Sequence, residues 1–274
     1  MKLTGASSQK QSYIIFVVRD DARRSGLLFQ STVTTYEAYN TWGGLSLYTN
    51  ELPGLSLHRA HKVSFDRPYH DFWGSSNFLR WEYQMVRFLE REGYDVSYST
   101  DLETHLNGNL LLGHKALLIV GHDEYWSWQM RNNVEAARDA GVNLGFFSSN
   151  TAYWQVRFEP ASVTGEANRT MVCYKQANLD PYYTDGIPDH QHLVTVRFRD
   201  PLIDRPEDAL LGVMYERRTL GWDDLVISDA DHWIFANTGL QNGSHLIGSS
   251  ATRPITCMAM LPRERSALPI LHFP

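Results

Sequence analysis

The feature that most constrains the fold is a strand–helix–strand pattern in the middle of the chain. Residues 116–121 form an apolar run, Ser127 precedes a helical pattern that continues to Ala140, and residues 143–147 form a second apolar run. Short apolar runs of this kind are typical of strands buried on both faces, and serine is a preferred helix N-cap. Two such strands joined through a helix pair in parallel, with a right-handed crossover. The pattern predicts an α/β fold, a three-layer sandwich with a mostly parallel sheet.

Further β-rich runs and one more helix flank this pattern. Asn77 precedes a stretch whose apolar side chains recur on one helical face until Gly93, which predicts an N-capped helix that ends at that glycine. Residues 40–77 lack periodicity and are rich in Gly, Pro, His and Ser, which predicts a long surface loop of a kind that often carries function. The other runs predicted as strands are residues 13–18, 27–35, 94–99, 170–174, 192–199 and 212–215.

Composition and charge exclude several classes of function. Lys and Arg number 25 against 31 Asp and Glu, and a net charge of −6 gives no basic surface for nucleic acid or an anionic membrane. The longest apolar runs are far shorter than the roughly 18 residues needed to cross a bilayer. The N-terminus lacks the pattern of a secretory signal, and two cysteines cannot form a disulfide framework. We therefore expect a cytoplasmic protein, or a chain whose true N-terminus is missing, with free thiols and neither nucleic acid nor a membrane as partner.

Two groups of polar residues follow the predicted central strands at their carboxyl ends, where open α/β sheets bind ligands. His122 and Glu124 lie two residues apart in extended backbone, so both can point into one crevice. The alternative is a capping carboxylate beside a hydrogen-bonded histidine. Asn150 follows the next strand, where its amide can donate to a substrate oxygen, although asparagine is also common in turns.

A third group is the tyrosine-rich stretch at residues 35–48, which leads from a predicted strand into a glycine-containing loop. Its tyrosines Tyr36, Tyr39 and Tyr48 have hydroxyls that can reach a metal ion. Tyrosinate is an unusual ligand, because a strong Lewis acid such as ferric iron is needed to lower the tyrosine pKa from about 10. Buried aromatic rings with satisfied hydroxyls are the alternative. The motifs of serine hydrolases, kinases and dinucleotide-binding enzymes are missing from the sequence.

Together and in this order, these groups resemble the C-terminal domain of the N,N-dimethylformamidase large (beta) subunit family. The resemblance covers about residues 2–240 and rests on residues 16–19, 35–48, 121–126, 146–154, 173–175 and 231–233. It implies a class I glutamine amidotransferase-like, flavodoxin-like fold without the usual cysteine nucleophile. It also implies hydrolysis of a small amide by a mononuclear iron that two tyrosines and one glutamate hold.

The resemblance assigns roles to individual residues. It implies Tyr39, Tyr48 and Glu124 as ligands of Fe(III), with Tyr36 as the competitor for Tyr39. His122 would hold the water or shuttle protons, and Asn150 would hydrogen-bond the developing oxyanion. The interval between the two tyrosines is shorter than in the formamidase, so dimethylformamide is not assumed as the substrate. The expected partner is a small-molecule amide, and homo-oligomer formation is left open.

The resemblance also predicts how the chain is divided. Residues 1–25 would hold the end of an upstream segment and the first strand, and residues 26–242 the catalytic-like α/β domain. Residues 249–255, Ser-Ser-Ala-Thr-Arg-Pro-Ile, stand where the family has a Gly-Tyr-Glu-x-Asp element with an active-site glutamate. We hypothesise a frameshift between about Asn242 and Ser249, which makes residues 243–274 an aberrant, proline-rich and disordered tail. Two alternative functions stay open: a carbohydrate-related binding or modifying domain, and a truncated inactive paralogue.

Overall fold

The described residues, 1–49, 58–215, 224–246 and 255–256 of a computed structural model, divide into two units, Met1–Asp204 and Arg205–Pro274. The strands of the first unit are β1 (Lys2–Thr4), β2 (Gln11–Tyr13), β3 (Leu27–Ser31), β4 (Lys62–Ser64), β5 (Val96–Thr100), β6 (Ala116–His122), β7 (Tyr125–Ser127), β8 (Asn143–Ser149), β9 (Trp154–Glu159) and β10 (Thr170–Val172). Its α-helices are α1 (Val33–Tyr39), α2 (Tyr83–Arg91), α3 (Asp101–Leu106), α4 (Trp128–Asp139) and α5 (Pro181–Thr184). Its shorter helical segments are the 3-10 turns Asp71–Gly74, Gly108–Gly113, Ala177–Leu179 and Pro188–Leu193 and the π-turn Phe78–Glu82.

A four-stranded parallel sheet lies at the centre of the first unit, as the sequence predicts. Its strand order is β5-β3-β6-β8, and every neighbouring pair is parallel. Counted along the chain, this order is 2-1-3-4, which is the beginning of the flavodoxin-like order. In such sheets the ligand crevice lies at the carboxyl ends of the strands on either side of the switch in order. Here those strands are β3 and β6.

Helices cover both faces of this sheet. On one face, Leu89 of α2 packs with Phe29, Val96 and Val120 in a buried cluster. Gln30 points to the opposite face, because successive strand residues alternate, and its Oε1 accepts a hydrogen bond of 2.5 Å from Thr104 Oγ1 in α3. The α/β class with a mostly parallel central sheet is therefore confirmed.

The predicted helix after Ser127 is confirmed as α4. Ser127 is its N-cap, and the serine Oγ accepts a hydrogen bond of 3.0 Å from Met130 N. The inner face of α4 carries the buried side chains of Met130, Val134 and Ala137, which recur with helical spacing. The cap and the spacing together explain why this helix is predictable from its own sequence.

A second, mixed sheet adjoins the site region. Its order is β4-β10-β9-β7, with β7 and β9 parallel and the other pairs antiparallel. Only Asp123 and Glu124 separate β6 in the parallel sheet from β7 in the mixed sheet. The buried core beside this sheet consists of Ala38, Leu47, Val63, Tyr125, Val156, Met171 and Cys173.

Two predicted strands near the N-terminus are wrong in extent. The strand predicted at residues 13–18 ends at Tyr13, and residues 14–18 belong to no strand. Alternate side chains in that segment are exposed, so its period-2 pattern reflects packing on one side rather than strand pairing. The strand predicted at residues 27–35 ends at Ser31, because α1 begins at Val33.

Other predicted elements have mixed outcomes. Residues 170–172 form the predicted β10, and Asn77 is the N-cap of the π-turn that leads into α2. The strand predicted at residues 192–199 is wrong: a 3-10 turn ends at Leu193, and a lone bridge joins Arg197 to Trp154. In this segment a side chain, rather than a neighbouring strand, binds the backbone acceptors. Gln155 Nε2 donates to the carbonyl oxygens of His192 and Val194.

The second unit contains short elements. They are α6 (Asp208–Leu211), β11 (Met214–Tyr215), β12 (Leu225–Val226), the 3-10 turn Trp233–Phe235, β13 (His245–Leu246) and β14 (Ile255–Thr256). Strand β11 pairs antiparallel with β14, and β12 pairs antiparallel with β13. Most of the predicted tail at residues 243–274 lies outside the described residues. Within the described part of the chain, no helix has the length and apolar character needed to cross a membrane.

Candidate active site

Glu124 lies in the two-residue link between the two sheets, and its backbone is held from both sides. Its N–H donates to Thr35 Oγ1 at 2.9 Å. Its carbonyl oxygen accepts from Tyr153 N at 3.1 Å and from Trp154 N at 2.8 Å. The residue is buried. These contacts hold its carboxylate at the carboxyl end of β6, where the strand order predicts a ligand crevice.

His122 lies beside that carboxylate, as its spacing from Glu124 predicts. His122 Nε2 is 3.4 Å from Glu124 Oε2. The preceding Gly121 has φ +90°, and a Cβ at that position would lie 2.6 Å from Trp81 Cβ. A side chain there would both strain the backbone and collide with the helical segment above the sheet. A glycine is thus required at this position of β6, immediately before His122.

Tyr39 and Tyr48 complete a cluster around Glu124. Tyr39 is the last residue of α1, and its Oη donates to Glu124 Oε2 at 2.6 Å. The Tyr48 ring stacks on the Tyr39 ring with centroids 4.9 Å apart and planes inclined by 26°. The His122 ring centroid is 5.4 Å from that of Tyr39. Tyr48 is 47% exposed, so the cluster opens to solvent on its side.

Tyr36, the competitor for Tyr39, lies in different surroundings. Its Oη donates to Glu82, and its ring makes an edge-to-face contact with Tyr69 at 5.7 Å. Burial raises the pKa of Tyr36 well above its ordinary value, and the nearby Glu82 charge adds to this. Tyr39 is therefore the one of the two tyrosines that contacts Glu124.

Asn150 follows β8, the neighbour of β6. In the register of these strands, the preceding Ser149 is paired with His122. Asn150 is buried and has a left-handed φ of 52°, which asparagine tolerates better than most residues. Its Oδ1 has no hydrogen-bond partner among the described residues. A buried unpaired amide oxygen is uncommon and points to a bound water or ligand.

Lys175 also belongs to this cluster, and the sequence did not predict a role for it. Its Nζ donates to Tyr125 Oη at 2.7 Å and lies 4.7 Å from the Tyr48 ring centroid and 4.9 Å from that of Trp154. Burial lowers the pKa of Lys175. The available signal was a lysine two residues after the buried Cys173, which directly follows β10. Burial raises the pKa of the Cys173 thiol to about 12, which disfavours its reactive thiolate form.

Three buried carboxyl groups lie behind the site, in Glu82, Asp101 and Asp123. Asp101 Oδ2 accepts hydrogen bonds from Thr34 N at 3.0 Å and Thr34 Oγ1 at 2.6 Å, and Asp123 Oδ2 accepts from Gln30 Nε2 at 3.2 Å. Burial is the largest cause that raises the pKa of each of the three, and it raises that of Asp101 to about 7. Asp101 therefore keeps its proton to a higher pH than an exposed carboxyl group, which releases its proton near pH 4.

The raised pKa of Asp101 predicts an unusual dependence of the free energy of unfolding on pH. The folded chain binds the Asp101 proton more tightly than the unfolded chain, whose aspartates titrate near pH 3.9. The free energy of unfolding should therefore fall as pH rises from about 4 to about 7, by at most about 1.4 kcal/mol per pH unit for one group. Asp101→Asn should flatten this slope in urea unfolding curves, whereas the exposed control Asp20→Asn should not. An unchanged slope in Asp101→Asn would contradict the prediction.

Residues 1–255 match the protein family described as N,N-dimethylformamidase beta subunit-like, C-terminal. No curated protein matches the chain. The family match includes every residue of the cluster around Glu124 and extends beyond residue 240, where the resemblance seen in the sequence ends.

Proposed function

Because the chain belongs to the N,N-dimethylformamidase beta subunit-like family, we propose that it is a metal-dependent hydrolase that cleaves the C–N bond of a small linear amide. The observation that carries the proposal is the contact between Tyr39 and Glu124 at the carboxyl ends of the central strands. The strand order 2-1-3-4 supports the finer assignment to a flavodoxin-like, class I glutamine amidotransferase-like fold.

The donor set at this contact fits a hard cation. Tyr39 Oη and Glu124 Oε2 lie 2.6 Å apart, so two oxygen atoms that can coordinate a metal ion are already close together. The described residues contain no group of three His, Cys, Asp or Glu side chains suited to a metal, so tyrosine hydroxyls would have to contribute. We propose that Tyr39, Tyr48 and Glu124 hold a mononuclear Fe(III). The Tyr39 proton, which now lies on the hydrogen bond to Glu124, would be released when both oxygens bind the ion.

Such an ion, when bound, polarises an amide carbonyl and makes a nearby water more acidic. His122 lies beside Glu124 and can accept the proton of that water and deliver it to the departing amine nitrogen. The Asn150 amide can donate to the carbonyl oxygen as negative charge develops there. The rings of Tyr48, Tyr125 and Trp154 surround Lys175 Nζ, and the half-exposed ring of Tyr48 offers an apolar surface for the alkyl groups of an N-alkylated amide.

Iron binding and amide hydrolysis by the full chain test this proposal together. After reconstitution with ferric iron, we expect one iron per chain and a visible tyrosinate-to-iron absorption band, which Tyr48→Phe weakens. Small N-alkyl amides should release amine, measured by a colorimetric assay. A colourless protein that binds no iron would contradict the proposal. Retention on polysaccharide without metal would favour the carbohydrate-related alternative, and iron binding without hydrolysis of any amide would favour an inactive paralogue.

A further inference from the structure

The two tyrosines proposed as ligands lie at the two ends of one loop, residues 40–47. For their rings to stack, this loop must return to the end of α1. One closing contact is the hydrogen bond of 2.9 Å from Leu47 N to the Ala38 carbonyl oxygen. Gly43 and Gly44 have φ of +85° and +97°, values that glycine adopts without strain. The glycines permit the turn, and side-chain contacts are needed to fix it.

Arg67, which follows β4, supplies such contacts. Its Nη1 donates to the carbonyl oxygens of Trp42 at 3.0 Å and Leu45 at 3.1 Å. Its Nη2 donates to Glu37 twice, to the carbonyl oxygen at 3.1 Å and to Oε2 at 2.9 Å. Its Nε donates to the Ser64 carbonyl oxygen at 3.3 Å. A guanidinium has five N–H donors, and here every donor is used to join the end of α1, the loop and β4.

Burial and a second side chain strengthen this arrangement. The Arg67 side chain is 17% exposed and that of Glu37 is 2% exposed, so solvent screens their ion pair little. Asn40 Nδ2 donates to the same Glu37 Oε2 at 3.2 Å and to the Pro68 carbonyl oxygen at 3.1 Å. Asn40 Oδ1 accepts from Trp42 N at 3.2 Å. The loop is thus held to residues 64–68 at several points.

We propose that Arg67 is a positioning residue that sets the distance between Tyr39 and Tyr48, an inference that rests on the proposed function for its effect on metal binding. Arg67 touches neither tyrosine ring in its hydrogen bonds; it acts on the backbone at residues 37, 42 and 45. A lysine cannot replace it, because an ammonium has three donors and lacks the planar fork that reaches separated carbonyl oxygens.

The first test needs no metal. Hydrogen–deuterium exchange of the full metal-free chain should be at least about tenfold faster in peptides covering residues 40–48 of Arg67→Lys and Arg67→Met, because the loop loses its hydrogen bonds. Exchange in β6 should stay as in the wild type. Arg169 is the matched control, since it pairs with the exposed Asp66 near β4 and makes no hydrogen bond to the loop. Unchanged exchange in residues 40–48 of both Arg67 variants would overturn the inference.

The second test measures how the two tyrosines bind ferric iron. With ferric iron, Arg67→Lys should shift or weaken the tyrosinate-to-iron band and raise the iron dissociation constant about tenfold or more, the scale typical of groups that orient metal ligands. Arg169→Lys should leave both unchanged. If the wild type binds no iron, the proposed function fails while the exchange result still decides the role of Arg67. If Arg67→Lys shows faster loop exchange but an unaltered band and affinity, the positioning role is overturned.

Discussion

Replacing Glu124 with glutamine is expected to lower iron affinity and amide hydrolysis by more than about 100-fold, the larger limit seen when metal-ligand geometry is disturbed. The substitution keeps the size of the side chain and an oxygen that can accept from Tyr39 Oη. It removes the negative charge that a ferric ion requires from its ligand. Loss of function should therefore occur in a chain that folds normally.

The control for Glu124→Gln is Glu159→Gln, which lies on β9 in an ion pair with Lys62. Iron content by mass spectrometry, the visible band and amine release should all be normal in this control. Circular dichroism should show the same secondary structure in both variants. Wild-type iron affinity in Glu124→Gln would exclude Glu124 as a ligand and with it the proposed site.

Replacing Glu82 with alanine is expected to give the largest loss of stability, about 3–5 kcal/mol in the free energy of unfolding. The Glu82 carboxylate is fully buried and accepts hydrogen bonds from Ser31 Oγ at 2.9 Å, from Thr32 Oγ1 at 3.0 Å and from Tyr36 Oη. Its removal takes away the acceptor that these groups share, although Ser31 Oγ and Tyr36 Oη lie 3.3 Å apart and can still bond to each other. Each donor left unpaired inside the protein costs about 1–3 kcal/mol.

Urea unfolding of Glu82→Ala, Tyr36→Phe and the double variant measures this effect. Tyr36→Phe removes one donor and should cost less than Glu82→Ala, and the two changes should not be additive because they share one hydrogen bond. The exposed Glu92→Ala serves as the control, with an expected change within about 0.5 kcal/mol. A loss below about 1 kcal/mol in Glu82→Ala would show that the carboxylate does not organise this region.

The sequence predicts those parts of the fold whose causes are local. The helix α4 has its cap at Ser127 and its apolar spacing within a few residues, and β6 is a continuous apolar run. The pairing of His122 with Glu124 follows from the two-residue alternation of extended backbone. Each of these features can be derived without knowledge of distant contacts.

The helix α1 could not be predicted, because its cause is distant in the chain. Residues 33–36 are Val-Thr-Thr-Tyr, which favour a strand. The helix forms because Glu82 accepts from Thr32 N and Asp101 accepts from Thr34 N, contacts that span 50 and 67 residues and hold the N–H groups of its first turn. Without that helix, residue spacing gives no way to choose between Tyr36 and Tyr39, and only the family resemblance favours Tyr39.

Arg67 shows a second limit of sequence reasoning. Four of its five hydrogen bonds go to backbone carbonyl oxygens, which every residue possesses and no motif marks. Lys175 was similarly hidden, because its aromatic contacts come from Tyr48, Tyr125 and Trp154, which lie far from it along the chain.

The two-residue link of Asp123 and Glu124 connects the parallel sheet to the mixed sheet, and the site lies at this connection. Each of the two sheets has its own hydrogen bonds between strands. The carboxylate has its place only while β6 is paired with β8 and β7 is paired with β9. An ion or substrate held at this connection would fasten both sheets at once, so its binding energy would oppose their separation. Occupancy of the site would then raise the cooperativity of unfolding of the first unit, residues 1–204. A single bound ion would link the two sheets of that unit.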